Sequence, residues 1–285
     1  MNRIRKGDVV ARRSHNKDII FIVKGIVKTK DGDIAILKGL IDRIEADSDV
    51  EDLEKIKRQT VKKNLRLLNE KMEEKIKDAR ERYHSESLQE AKRGNDKVVT
   101  GRILHLDGDK RYSQKSHQYY KKLGLNAMVI NIPEYKQPKV VYNLLKTYNP
   151  DILVITGHDG MIKKEMGFYD VYNYRNSKYF IDTVKEARRY DEENHKNLVI
   201  FAGACQSYFE GLISAGANFA SSPARILIDF LDPLVVAEKV AFTEKYKYIT
   251  IDDIYFELRD GKKGVGGIGA NGTMSVLWGG FVTQM

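Results

Sequence analysis

Apolar and polar positions along this chain change rhythm three times. From Lys6 to about Leu40 the runs are short and β-rich: GDVVARRSH, DIIFIVKGIVKT and DIAILKGL. The last two are joined by Lys30-Asp31-Gly32-Asp33, a strong hairpin signal, and strands of this kind predict a small SH3-like β-barrel over residues 1–48. From Asp49 to Arg93 the chain contains neither Gly nor Pro. Leu53, Ile56, Val61, Leu65, Leu68, Met72 and Ile76 recur there at three- to five-residue steps, which predicts an amphipathic helix with Asp49 as its cap. Residues 49–96 therefore read as a charged helical linker.

The third rhythm begins at Val98, where apolar runs of strand length alternate with helical patterns. Strands are expected over Val98–Leu106 and Asn126–Ile132, in DILVIT and NLVIFA, and over Ala217–Ser221. Between them, helices are expected over Ser113–Leu123, Gln137–Tyr148, Asn173–Glu193 and Gln206–Ser214, with more around Pro233–Tyr246 and Ile251–Arg259. This alternation predicts an α/β fold with a mostly parallel sheet flanked by helices, occupying residues 97–285. The Gly-rich GVGGIGANGT near the end reads as a flexible loop. Its glycines do not lie between a first strand and a helix, as a dinucleotide site requires.

Composition changes this picture little. With 42% hydrophobic and 31% charged residues the chain is an ordinary globular sequence, and no apolar run is long enough to span a membrane. MNRIRKGDVV has no apolar segment behind its basic residues, so no secretory signal is expected. A single cysteine excludes an internal disulfide and fits a reducing compartment. The net charge of +9 makes acidic or polyanionic neighbours worth considering, although Glu is interleaved with Lys and Arg throughout the helical stretch.

Chemistry concentrates where two apolar strands end in glycine-flanked loops. DILVITGHDG delivers His158 and NLVIFAGACQS delivers Cys205 to the carboxyl edge of the sheet, where α/β proteins bind their ligands. A thiol beside an imidazole is the minimum apparatus of cysteine nucleophile catalysis. The other histidines fit less well: His15 lies in the β-module, His84 and His195 in polar stretches, His105 within a strand and His117 on a helix face. Backbone N–H groups of Cys205 and of the Asp159-Gly160 turn are the candidate oxyanion donors. Asp107 and Asp109, at the end of the first strand, are candidates for a carboxylate lining the substrate pocket, with Asp capping of the next helix as the competing reading. Ser221 and Ser222, ending the fifth strand, are candidates for pairing with an extended substrate. No metal-ligand set is recognisable and no cofactor is expected.

No histidine follows Cys205, so a nucleophile-elbow order is excluded. His158 instead lies roughly 50 residues upstream of Ala204-Cys205, as in caspase-type enzymes. Over residues 98–230 the pattern resembles the caspase, gingipain and legumain group, although Asp159 intervenes where that group has Gly directly after the His. Across the GDVVARRSH module, the charged helical segment, TGHDG and GACQS, the chain resembles the YabG family of sporulation-specific cysteine proteases. The resemblance implies His158 and Cys205 as the catalytic pair and cleavage after Arg. It also implies spore coat and germination-related proteins as substrates, and a place in the mother-cell cytoplasm and then the spore coat, with no membrane partner. The rival expectation is a polyanion-binding or spore-assembly protein working through the basic helix and β-module. A third is another thiol acyl-transfer enzyme, such as an amidase.

Overall fold

The computed structural model describes residues 3–86, 97–162 and 167–277. Its first unit is an antiparallel sheet of β1 (Val9–Arg12), β2 (Phe21–Thr29), β3 (Gly32–Gly39), β4 (Glu45–Asp49) and β5 (Leu53–Lys55), in the order β4-β3-β2-β1-β5. The expected hairpin is present, with Thr29 opposite Gly32 across the Lys30-Asp31 loop. Val10, Phe21, Val23, Leu37 and Leu53 point to one face of this sheet and are buried together.

The sheet extends further than the sequence pattern indicates. Asp49 ends β4 and does not cap a helix, because Leu53–Lys55 pairs with Val10–Arg12 and keeps the chain extended. Helix α1 begins only at Arg58 and runs to Glu86; the expected continuation to Arg93 lies outside the described residues. Leu68, Met72 and Ile76 on its apolar stripe are buried in the large core of the α/β unit. Its polar side is tied to the same unit: Lys75 donates to the Glu257 carbonyl and Arg82 pairs with Glu238 and Glu257. The helix is thus a covering layer and not a solvated spacer.

Between the helix and the main sheet, β6 (Lys97–Val99) pairs with β15 (Ser275–Leu277) in a two-stranded ribbon. The main sheet of the second unit is built from β7 (Ile103–Asp107), β8 (Ala127–Asn131), β9 (Ile152–Thr156), β10 (Val199–Ala202), β11 (Phe219–Ser221) and β13 (Val265–Gly267). Their spatial order is β13-β11-β10-β9-β7-β8, and all neighbours are parallel except β13. Side chains alternate between two cores: Ile152, Val154, Val199 and Phe201 face one, and Leu153, Ile155, Ile200 and Ala202 the other. The first core is covered by α1, α2 (Lys110–Leu123) and α6 (Asp232–Phe242), the second by α3 (Gln137–Tyr148), α4 (Ser177–Glu193) and α5 (Phe209–Ser214). Burial on both faces is why these strands read as unbroken apolar runs.

Three expectations are corrected here. Val98–Leu106 is not one strand: β6 is committed to the ribbon with β15, and β7 starts afresh at Ile103. The segment 251–259 forms separate short turns, Ile251–Asp253 and Tyr255–Glu257, in place of a helix. The Gly-rich tail is not a loose loop. Its residues Val265–Gly267 form the antiparallel edge strand on β11, and a Cβ at Gly267 would sit 2.2 Å from the Asn218 carbonyl oxygen. A glycine permits that close approach. The next short strand, β14 (Ala270–Asn271), pairs with β12 (Tyr248–Ile249).

Candidate active site

The parallel strands bring their carboxyl ends to one edge. β7 ends at Asp107, β9 leads through Gly157 to His158, β10 leads through Gly203 to Cys205, and β11 ends at Ser221. Since β9 lies between β7 and β10, the imidazole-bearing loop sits between Asp107 and the thiol. His158, Cys205, Asp107 and Asp159 are all fully buried.

Part of what buries them comes from the first unit. The link between β3 and β4, Gly39 to Glu45, lies along this edge. His158 Nε2 faces the Gly39 carbonyl at 3.3 Å, and the Asp159 N–H donates to the Arg43 carbonyl at 3.2 Å. Glu45 N–H donates to the Asp159 carbonyl at 2.9 Å. The fit is tight: a Cβ at Gly160 would come within 2.3 Å of the Glu45 carbonyl oxygen. The Arg43 guanidinium, 1% exposed, pairs with Asp107 and donates to Thr156 Oγ1 at 3.1 Å. The Tyr112 ring lies against it, 5.0 Å from the ring centroid to the guanidinium carbon.

The thiol and the imidazole are sparsely bonded. Cys205 Sγ accepts from the Ile228 N–H at 3.4 Å. Burial pushes the thiol up to about 12, against the opposing pull of backbone hydrogen bonds from Ile228 and Arg43. Burial also drives the His158 imidazole well below its ordinary value, and the Lys38 and Arg43 cations push the same way. Both groups are therefore neutral at pH 7. Among the described residues no hydrogen bond joins them, and His158 Nδ1 is buried without a partner.

Asp159, beside the histidine, is a hub. Its carboxylate accepts from the N–H groups of Gly160 (2.9 Å) and Asn176 (2.8 Å) and from the hydroxyls of Ser177 (2.5 Å) and Ser207 (2.9 Å). Ser207 Oγ in turn accepts from the Ala204 N–H, so one carboxylate couples the histidine loop to the cysteine loop. The histidine loop is held a second time by the Glu134 carboxylate, which accepts from the His158 N–H at 2.9 Å.

The remaining sequence candidates separate clearly. Asp109 caps α2, accepting from the Arg111 and Tyr112 N–H groups, and Lys38 approaches it at 3.7 Å. The Gly160 N–H is turned onto the Asp159 carboxylate. Ser222 Oγ holds its own turn through Ile226, while Ser221 Oγ is buried without a partner. His105 is a core residue, bonded to Thr156 Oγ1 at 2.7 Å. Sequence reasoning missed Arg43, Glu134, Ser177 and Ser207. Glu134 stands beside Pro133 just beyond a strand end, which is a usable signal; Arg43 carries none.

The donors and acids present do not form a metal site: among the described residues no group of three or more His, Cys, Asp or Glu could hold an ion. No helix of the described residues is long and apolar enough to cross a membrane.

Comparison with known proteins supplies the family. The model of the YabG peptidase U57 family matches residues 5–278. The chain is 40% identical over 289 aligned residues to the sporulation-specific protease YabG of Bacillus subtilis (strain 168), covering 95% of this chain and 96% of that protein. No solved structure matches it.

Proposed function

The chain belongs to the YabG peptidase family and is a peptidase; from that premise we propose that it is a cysteine endopeptidase of sporulation that cleaves after Arg. The observation that carries the reading is the buried Asp107 carboxylate, which stands across the His158 loop from Cys205 and already holds a guanidinium. A P1 arginine needs such a partner, because a desolvated guanidinium without one is costly. Asp109 is committed to capping α2, so the specificity acid is Asp107.

In the reacting state His158 takes the thiol proton, Cys205 Sγ attacks the scissile carbonyl, and His158 returns the proton to the leaving amine. Water then hydrolyses the acyl-enzyme. The N–H groups of Cys205 and Asp159 hold the oxyanion; Gly160 is less suited, since its N–H already serves the Asp159 carboxylate. Ser221 lies opposite Val265 in the ladder with β13 and is closed to an added strand, which leaves Ser222 as the group to line an extended substrate. Spore coat and germination-related proteins are the substrates, met in the mother-cell cytoplasm and then in the coat. The finer fold description belongs to the same reading: a caspase-like peptidase sheet preceded by an SH3-like small barrel and α1. The polyanion-binding alternative is weakened because Lys71, Lys75, Arg80 and Arg82 of α1 are engaged with the α/β unit.

The test is a fluorogenic peptide panel with Arg, Lys, Asp, Asn or Leu at P1. Cleavage after Arg is expected, with kcat/KM falling more than roughly 10³-fold in Cys205→Ala and after alkylation with iodoacetamide. Asp107→Asn is expected to lose the preference for Arg. Activity that survives both the substitution and alkylation would remove Cys205 as nucleophile.

A further inference from the structure

The segment Gly39 to Glu45 meets the site as a substrate would. The Arg43 side chain fills the Asp107 pocket, and its carbonyl accepts from the Asp159 N–H, one of the two donors assigned to the oxyanion. The Arg43 backbone also lies close enough to the Cys205 sulfur to act on its thiol. Beyond it, Ile44 pairs in parallel with Asp159, and Glu45 continues that pairing. Side chain, carbonyl and following residue are thus engaged by the pocket, the oxyanion donor and the histidine loop in turn. The pair is a poor choice for stability alone: Arg43 Nε and Nη1 are buried without partners, although a guanidinium offers five donors.

We propose that the Arg43–Ile44 bond is a self-processing site, and that the uncut segment plugs the specificity pocket of its own chain. The inference rests on the roles given above to Cys205 and Asp107. In the processing step a bond forms between Cys205 Sγ and the Arg43 carbonyl carbon while the Arg43–Ile44 carbon–nitrogen bond breaks. The Ile44 nitrogen leaves as an amine with the proton that His158 took from the thiol. Water then adds to the thioester, frees the Arg43 carboxylate and restores the thiol. The cut does not detach the first unit, because β4 remains paired with β3 from Lys38–Glu45 to Ile34–Asp49. It gives the new Arg43 terminus the freedom to withdraw, which opens the pocket and rehydrates the thiol.

The experiment follows full-length wild type, Cys205→Ala and Arg43→Ala over time by N-terminal sequencing, peptide turnover at P1 Arg, and iodoacetamide labelling of the single thiol. Wild type is expected to yield a fragment beginning at Ile44, with turnover and labelling rate rising as that fragment appears. Cys205→Ala stays whole at this bond. Arg43→Ala is expected to turn over peptide without a lag and to label roughly tenfold faster than uncut wild type, the unplugged state being the favoured one. If Arg43→Ala does not fold, Arg43→Gln and the labelling of wild type before and after the cut make the same comparison. Full turnover from wild type with the bond intact overturns the proposal, as does labelling of the Arg43 variants no faster than uncut wild type. In either case, Arg-directed turnover that vanishes with Cys205 leaves the peptidase reading standing. Absence of that turnover from every protein overturns both.

Discussion

Asp159 and the pair His158–Cys205 sit at the same sheet edge and are treated in opposite ways. The carboxylate receives four hydrogen bonds, two from backbone and two from hydroxyls. The imidazole has one ring nitrogen without a partner, and the sulfur has long, weak bonds to Ile228 and a backbone contact with Arg43. Polar interactions are therefore concentrated on fixing the two loops, while the atoms that would react keep free capacity. A reactive group saturated by its own protein has nothing to offer a substrate, whereas a loop that must place such a group cannot be left loose.

This contrast predicts separable effects. The greatest is that of Asp159→Ala, which strands four donors in a buried site and is expected to destabilise by at least about 1–3 kcal/mol, read as a lower urea midpoint with activity lost through unfolding. A variant that stays as stable as wild type would remove the hub. Next, His158→Asn is expected to cost at least about 10²-fold in kcat/KM while moving stability by no more than about 1 kcal/mol. Equal losses of stability at positions 158 and 159 would erase the contrast.

A pH experiment probes the hub directly. Burial raises Asp159 from 3.8 to about 6. The folded state therefore holds this proton more tightly than the unfolded chain does. Its contribution to stability is fully present below about 4 and declines as pH rises towards 6. Asp232 and Glu238, each raised to about 7 by burial, act in the same direction over a wider window. Unfolding midpoints taken between about pH 4 and 7 should show a shallower fall in Asp159→Asn than in wild type; an unchanged slope would refute the assignment. A more modest effect is that of Ser207→Ala, which removes one of the four donors and is expected to cost about 1 kcal/mol, measured by urea unfolding with the fold unchanged.

Much of the α/β unit was legible in the sequence for a definite reason. Strands buried on both faces must be continuously apolar, and helices that cover them must show one apolar face, so Ile152–Thr156, Val199–Ala202 and Gln137–Tyr148 stand close to where periodicity puts them. The loops that follow, with His158 and Cys205, were placed at one edge by the same logic, since parallel strands deliver their ends together. Strand boundaries in the first unit were not legible: Leu53–Lys55 fits a helical stripe as readily as a strand, and only its partner Val10–Arg12 decides between them. The tail was misread for a similar reason, because glycines that admit a close neighbour look like glycines that loosen a loop.

What is local and periodic thus follows from the chain alone: the parallel sheet, its flanking helices, and the thiol and imidazole at strand ends. Which side chains from distant segments meet that thiol and imidazole is settled only when the chain is folded. Arg43 lies in a stretch with no pattern to mark it, yet it reaches Asp107, and Ser177 and Ser207 converge on Asp159 from separate segments. The Arg43 contact depends on how the two sheets close on each other and the Asp159 contacts on how separate loops meet at one sheet edge, and no periodicity within a sheet encodes either fit.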